Sequence, residues 1–152
     1  MENLFDKISN DIKSAMLAKD RVRLDALRGI KKEFLEAKTA KGADGDLHDD
    51  VAQKILLKMV KQRKDSAAIY TSQNRADLAE KEIAEVGVIE GYLPKQLSAG
   101  EVETAVRKII TQIGAVSAKD MGKVMGVASK ALAGKTENRL VAETVKRLLP
   151  AD

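Results

Sequence analysis

Lys119-Asp120-Met121-Gly122-Lys123-Val124-Met125-Gly126, followed by Ala133-Gly134-Lys135-Thr136-Glu137-Asn138-Arg139-Leu140-Val141, is the stretch on which the reading of this chain turns. Met121, Val124, Met125, Ala128 and Leu132 recur at three- and four-residue steps, which is the apolar face of a helix. Gly134 closes that helix, and Leu140, Val141, Val145, Leu148 and Leu149 form the face of another, stopped by Pro150. No run in the chain alternates apolar and polar residues as a half-buried strand does. The spacing therefore predicts an all-α protein.

Working outward, Ser117 with Asp120 predicts a capped helix start, and Gly114 predicts a left-handed cap ending the helix before it. That helix carries Val102, Val106, Ile109, Ile110 and Ile113 and starts at the capping box Ser98-Ala99-Gly100-Glu101. Upstream, Pro94 stops a helix marked by Leu78, Ile83, Val86 and Ile89 and marks the domain boundary. Leu4, Phe5, Ile8, Ile12, Ala15 and Met16 mark a first helix ending near Lys19-Asp20. Val22, Leu24, Leu27, Ile30, Phe34 and Leu35 mark a second, and Val51, Ile55, Met59 and Ala67 a third that runs to about Thr71. The expected organisation is a helical N-terminal domain of about four helices over residues 1–93 and a C-terminal three-helix module over residues 98–150.

Composition supports this and narrows the chemistry. The chain has 152 residues, 44% hydrophobic and 33% charged, with 2 prolines and 3% aromatics. Cysteine is absent, which excludes disulfides, thiolate metal sites, iron–sulfur clusters and a cysteine nucleophile. No apolar run approaches the ~20 residues of a membrane span. The first helix carries Glu2, Asp6 and Asp11, which is unlike a signal or transit peptide, so the cytoplasm is the expected compartment. Residues 96–152 carry +3 of the net charge of +4, a bias that favours polyanions without demanding them.

Three site readings compete on residue chemistry. Ser129 to Thr136 ends in Gly-Lys-Thr like a phosphate-cradling loop, but Ser129 replaces the first glycine and a helix stands where a strand is required. His48 among Asp44, Asp46, Asp49 and Asp50 does not have the spacing of a calcium loop and reads as a solvated loop and helix start. With one loop histidine and no paired nucleophile and base, no catalytic residue, metal site or cofactor is assigned. Gly122 and Gly126 share a helix face at a cost of about 1 kcal/mol each against alanine. Two uses are open: close helix packing, the commoner one, and approach of a phosphate backbone or partner. Lys123, Lys130, Lys135, Arg139, Lys146 and Arg147 are the candidate RNA-binding residues, and Gly122, Gly126 and Gly134 the close-approach glycines. The aromatics Phe5, Phe34, Tyr70 and Tyr92 all lie in the N-terminal part, so RNA contact would be to backbone and shape rather than to stacked bases.

Arg23-Leu24-Asp25-Ala26-Leu27-Arg28, Gln62-Arg63-Lys64-Asp65-Ser66, Asp77-Leu78-Ala79-Glu80-Lys81-Glu82 and Tyr92-Leu93-Pro94-Lys95-Gln96-Leu97-Ser98 look like landmarks of the GatB/YqeY family. The chain resembles YqeY members of that family along essentially its full length. Met121-Gly122-Lys123-Val124-Met125 and Gly134-Lys135 are similar to the tail domain of the B subunit of glutamine-dependent tRNA amidotransferase. The resemblance implies a helical domain plus a three-helix module, a role in holding tRNA or assisting a tRNA-bearing enzyme, and a family label of carbon–nitrogen ligase with glutamine as amido donor. Carry-over is confined to Gly122, Lys123, Gly134 and Lys135. Thr136-Glu137 and Ala142 depart from the tail pattern. The residues themselves supply no ATP site and no amidase serine–lysine pair, so the expected role is binding of tRNA, with a protein-interaction module as the alternative and no membrane partner.

Overall fold

The computed structural model describes residues 2–151. Among them there are seven α-helices, one 3₁₀ turn and no strand, so the all-α expectation holds. The chain divides into two compact units, Met1–Pro94 and Lys95–Asp152.

The first unit contains α1 (Leu4–Ala18), α2 (Arg21–Lys38), α3 (Asp49–Ser72) and α4 (Ala76–Glu90). Asn3 caps α1, its side chain accepting from the Asp6 amide at 2.8 Å. The two-residue link to α2 works because Lys19 takes a left-handed conformation and Asp20 then caps α2 through the Arg23 amide. Asp49 accepts from the Leu4 amide at 3.0 Å and so ties the start of α3 to the start of α1. Ile8, Leu27, Ile30, Phe34, Leu56 and Ile89 are fully buried and form the core. At about 25 cal/mol per Å² of apolar surface removed from water, burial of these side chains is the main stabilising term.

Several apolar positions of the sequence stripes face solvent instead. Met16, Val22, Leu35, Val51 and Ile83 are all exposed, whereas Glu85 is 7% exposed. On α4 the buried residues are Ala79, Glu85, Val86 and Ile89, with Glu82 half-buried among them, so the buried arc ends on Glu85 at one edge and leaves Ile83 outside at the other. The carboxylates are tolerated there because Arg63 of α3 lies 3.0 Å from Glu85 and 3.5 Å from Glu82.

The second unit contains α5 (Ala99–Ile113), the 3₁₀ turn Ala118–Asp120, α6 (Met121–Ala131) and α7 (Asn138–Leu148). Both arms of the Ser98–Glu101 box are present, with Ser98 accepting from the Glu101 amide at 3.2 Å and Glu101 from the Ser98 amide at 3.0 Å. Gly114 takes the left-handed cap, φ 77°. Val102, Val106, Val124, Ala128, Val141 and Val145 make a core of small aliphatic side chains without an aromatic. Each of the three helices packs on the other two.

Candidate functional site

α6 presents two unlike faces. Val124 and Ala128 are buried against α5 and α7, while the opposite side lines a shallow groove of about 590 Å³ bounded by Gly122, Lys123, Gly126, Val127, Lys130 and Ala131. A Cβ added at Gly122 or Gly126 would meet nothing within 4 Å. Close helix packing, the commoner use of such a pair, is therefore not their use here. Their backbone lies bare at the floor of a groove whose rim carries two ammonium groups.

The start of α6 is fixed by Asp120, whose carboxylate accepts from the Val116 amide at 2.9 Å and the Ser117 amide at 3.3 Å. These backbone bonds hold its pKa below the ordinary carboxylate value, with a smaller contribution from the positive charge of Lys123. A carboxylate at this point already answers the helix dipole.

The remaining predicted residues separate from the groove. Gly134 is buried in a left-handed turn, φ 75°, and its carbonyl accepts from the Gln96 side-chain amide at 2.7 Å, so it shapes the turn. Lys135 is exposed, and its carbonyl accepts from the Leu97 amide at 2.9 Å. Arg139 is held by Glu143 at 3.1 Å and Arg147 by Glu103 at 3.5 Å, which offsets part of their charge. Lys146 is exposed on α7. Of the six basic candidates, Lys123 and Lys130 line the groove, and with them Gly122 and Gly126.

Asp44 and His48 approach to 3.3 Å, both well exposed, and among the described residues no group of three or more metal-ligating side chains forms. Sequence reasoning missed two polar clusters in the first unit. Arg63 with Glu82 and Glu85 is one, the Arg63 Nε being buried with no hydrogen-bond partner among the described residues. In the other, Tyr92 donates to Asp11 and accepts from Arg23 Nη2 at 2.8 Å, and burial followed by the Asp11 bond pushes its phenol pKa up. Neither cluster had a sequence signal: the hydropathy of α4 gives no reason to place Glu85 inward, and nothing in the sequence pairs Tyr92 with residues 81 and 69 positions away.

These features define a class: a two-unit, all-helical protein with an open, lysine-flanked glycine face on its C-terminal unit. The match to the Yqey-like protein family over residues 5–149 makes the chain a member of that family. It is 34% identical over 149 residues to the altered inheritance of mitochondria protein 41, mitochondrial, of Meyerozyma guilliermondii, covering 94% of this chain and 74% of the relative. It is 37% identical over 109 residues to the protein of that name from Kluyveromyces lactis, covering 70% and 58%. For Lachancea thermotolerans the figures are 31% over 121 residues, 74% and 62%. The chain thus spans between 58% and 74% of the length of these relatives.

The names correct one expectation. The relatives are mitochondrial proteins by name, which points away from the cytoplasm. The sequence argument failed because Asp6 and Asp11 belong to α1, part of the folded unit. Acidity inside a packed helix carries no information about an address. Among the described residues, no helix is long and apolar enough to cross a membrane.

Proposed function

We propose that the chain is a non-catalytic helical module whose C-terminal unit binds tRNA, or an enzyme carrying it, along the open face of α6. The observation that supports this reading is the bare Gly122–Gly126 backbone with Lys123 and Lys130 on the rim of the same groove. A sugar–phosphate backbone needs close approach and positive charge, and it needs no aromatic platform. The second unit has none. The tail-domain resemblance at Met121-Gly122-Lys123-Val124-Met125 points the same way. The glutamine-dependent ligase label is not carried over, and the purified chain is expected to show neither glutaminase nor ATPase activity.

The test is binding of bulk tRNA and of a length-matched unstructured RNA across a salt series. Lys123→Glu with Lys130→Glu is expected to weaken tRNA binding and to reduce the log–log salt slope by about two, roughly one for each phosphate that is no longer neutralised. An unchanged affinity in a folded double variant removes the groove as the RNA site. Val127, 45% exposed beside Ala131, gives the groove an apolar side, and this favours a second reading in which a partner helix docks there. A partner retained after nuclease treatment and released by Gly126→Leu selects that reading.

A further inference from the structure

α7 begins without a side-chain cap. Glu137 stands at the cap position, but it is exposed and its carboxylate accepts from no amide of the first turn. The backbone amides of Thr136, Glu137, Asn138 and Arg139 find no acceptor among the described residues. By contrast, Ser98, Glu101 and Asp120 engage amides at the start of α5 and at the turn into α6. The carbonyls of the turn ahead of α7 are taken: Gly134 accepts from the Gln96 side-chain amide at 2.7 Å and Lys135 from the Leu97 amide at 2.9 Å. What this turn leaves unused is therefore a run of four consecutive donors.

A second, independent observation concerns Thr136. It is only 9% exposed, yet its hydroxyl makes no hydrogen bond among the described residues. Arg63 Nε is the one fully buried polar side-chain atom there without a partner, so the Thr136 oxygen lies in the small part of its side chain that stays open. An enclosed hydroxyl of this kind ordinarily has a partner, and here it stands at the head of the run of free amides. The charges agree. The first turn of α7 holds no acid but does hold Arg139, and Lys135 is exposed just ahead of it. Cations at the positive end of a helix are unfavourable unless an anion stands between them. Arg139 meets Glu143 one turn further on, at 3.1 Å in an exposed pair, which leaves the amides themselves unanswered.

We propose that the start of α7 binds a phosphate group, whose oxygens accept from the Asn138 and Arg139 amides and from the Thr136 hydroxyl, with Lys135 as counter-charge. Clustered backbone donors at the positive end of a helix suit an anion with several acceptor oxygens. The strand–loop–helix frame of a nucleotide-binding loop is absent, so one phosphate is held rather than a nucleotide's chain of them. The group is either a free or terminal phosphate or a phosphodiester of a nucleic-acid backbone, which present the same oxygens. The site is built from α7 and does not rest on the α6 reading.

The test is a titration of the ¹⁵N-labelled full chain at constant ionic strength with inorganic phosphate, with dimethyl phosphate and with chloride alone, following the backbone amides of Thr136, Glu137, Asn138 and Arg139. Saturable shifts centred on these amides are expected with a phosphate probe and none with chloride. Saturation by inorganic phosphate alone assigns a free or terminal phosphate, and saturation by dimethyl phosphate assigns a phosphodiester. Thr136→Val, which keeps the shape and removes the hydroxyl, is expected to weaken binding about tenfold, the effect of losing one hydrogen bond to a charged group. Thr136→Ser, which keeps the hydroxyl, is expected to restore most of the affinity. Glu137→Gln removes an exposed like charge and is expected to tighten binding about threefold. Shifts that stay linear with both phosphate probes, or that chloride reproduces, overturn the proposal. So does an affinity equal to the parent chain's in both Thr136→Val and Glu137→Gln, the second of which alters only an exposed side chain and keeps the test decisive if the first fails to fold.

Discussion

Gly126 lowers the helix propensity of α6 and makes no packing contact in return, since a Cβ there meets nothing within 4 Å. Gly126→Ala is therefore expected to stabilise the protein by about 0.5–1 kcal/mol, read from the urea midpoint at unchanged m-value. Gly29 sits inside α2 under a different constraint: its Cβ would come 3.1 Å from Arg63 Nη2, and that guanidinium is held by Glu85 and Glu82. Gly29→Ala is accordingly expected to gain less than Gly126→Ala or to lose stability. If Gly126→Ala destabilised, the face would not be open. The i, i+4 glycine pair was visible in the sequence, but its use was not. The same spacing serves a packed seam and a bare groove, and only the position of the neighbouring helices separates them.

At the scale of the element, the capping signals are the most legible feature of the chain. Ser98–Glu101 and Ser117–Asp120 lie within four residues of their partners, so their geometry is local and both form. The lowered pKa of Asp120 has a consequence for acid stability. A group whose folded pKa lies below its unfolded value contributes stability above the unfolded pKa and loses it as pH falls through the folded value. The stability gap between the parent chain and Asp120→Asn is expected to be fully present at pH 7. It should shrink as pH falls below the ordinary carboxylate range, as thermal melts between pH 7 and pH 3 would show. A gap constant over that range contradicts the role given to the Val116 and Ser117 amides. α4 shows the limit of reading by element: its hydropathy marks Ile83 as inward and Glu85 as outward, and the structure reverses both. Glu85 is inward because Arg63, 22 positions earlier, reaches it, and no periodicity encodes that.

For the whole molecule, the two units have separate cores, one with Phe34 at its centre and the other built on valines. We propose that they are separable domains. Residues 95–152, expressed alone, are expected to give a dispersed amide spectrum and to bind tRNA within about threefold of the full chain, because ~50 residues with their own core reach the lower size of an independent domain. A collapsed spectrum would make the second unit dependent on the first. The charge division, +3 of +4 in residues 96–152, was readable at once. Its reduction to Lys123 and Lys130 at the groove, with Arg139 and Arg147 drawn off to glutamates, required the fold.

By itself the sequence determined the helices, their caps and the absence of strands, because these follow from interactions within about one turn of the chain: 3.6-residue periodicity, side-chain caps and left-handed glycines. Only the tertiary structure decided which faces stay open. The bare side of α6 and the burial of Glu85 under Arg63 depend on which helices meet, and contacts between residues distant along the chain leave no periodic trace in it.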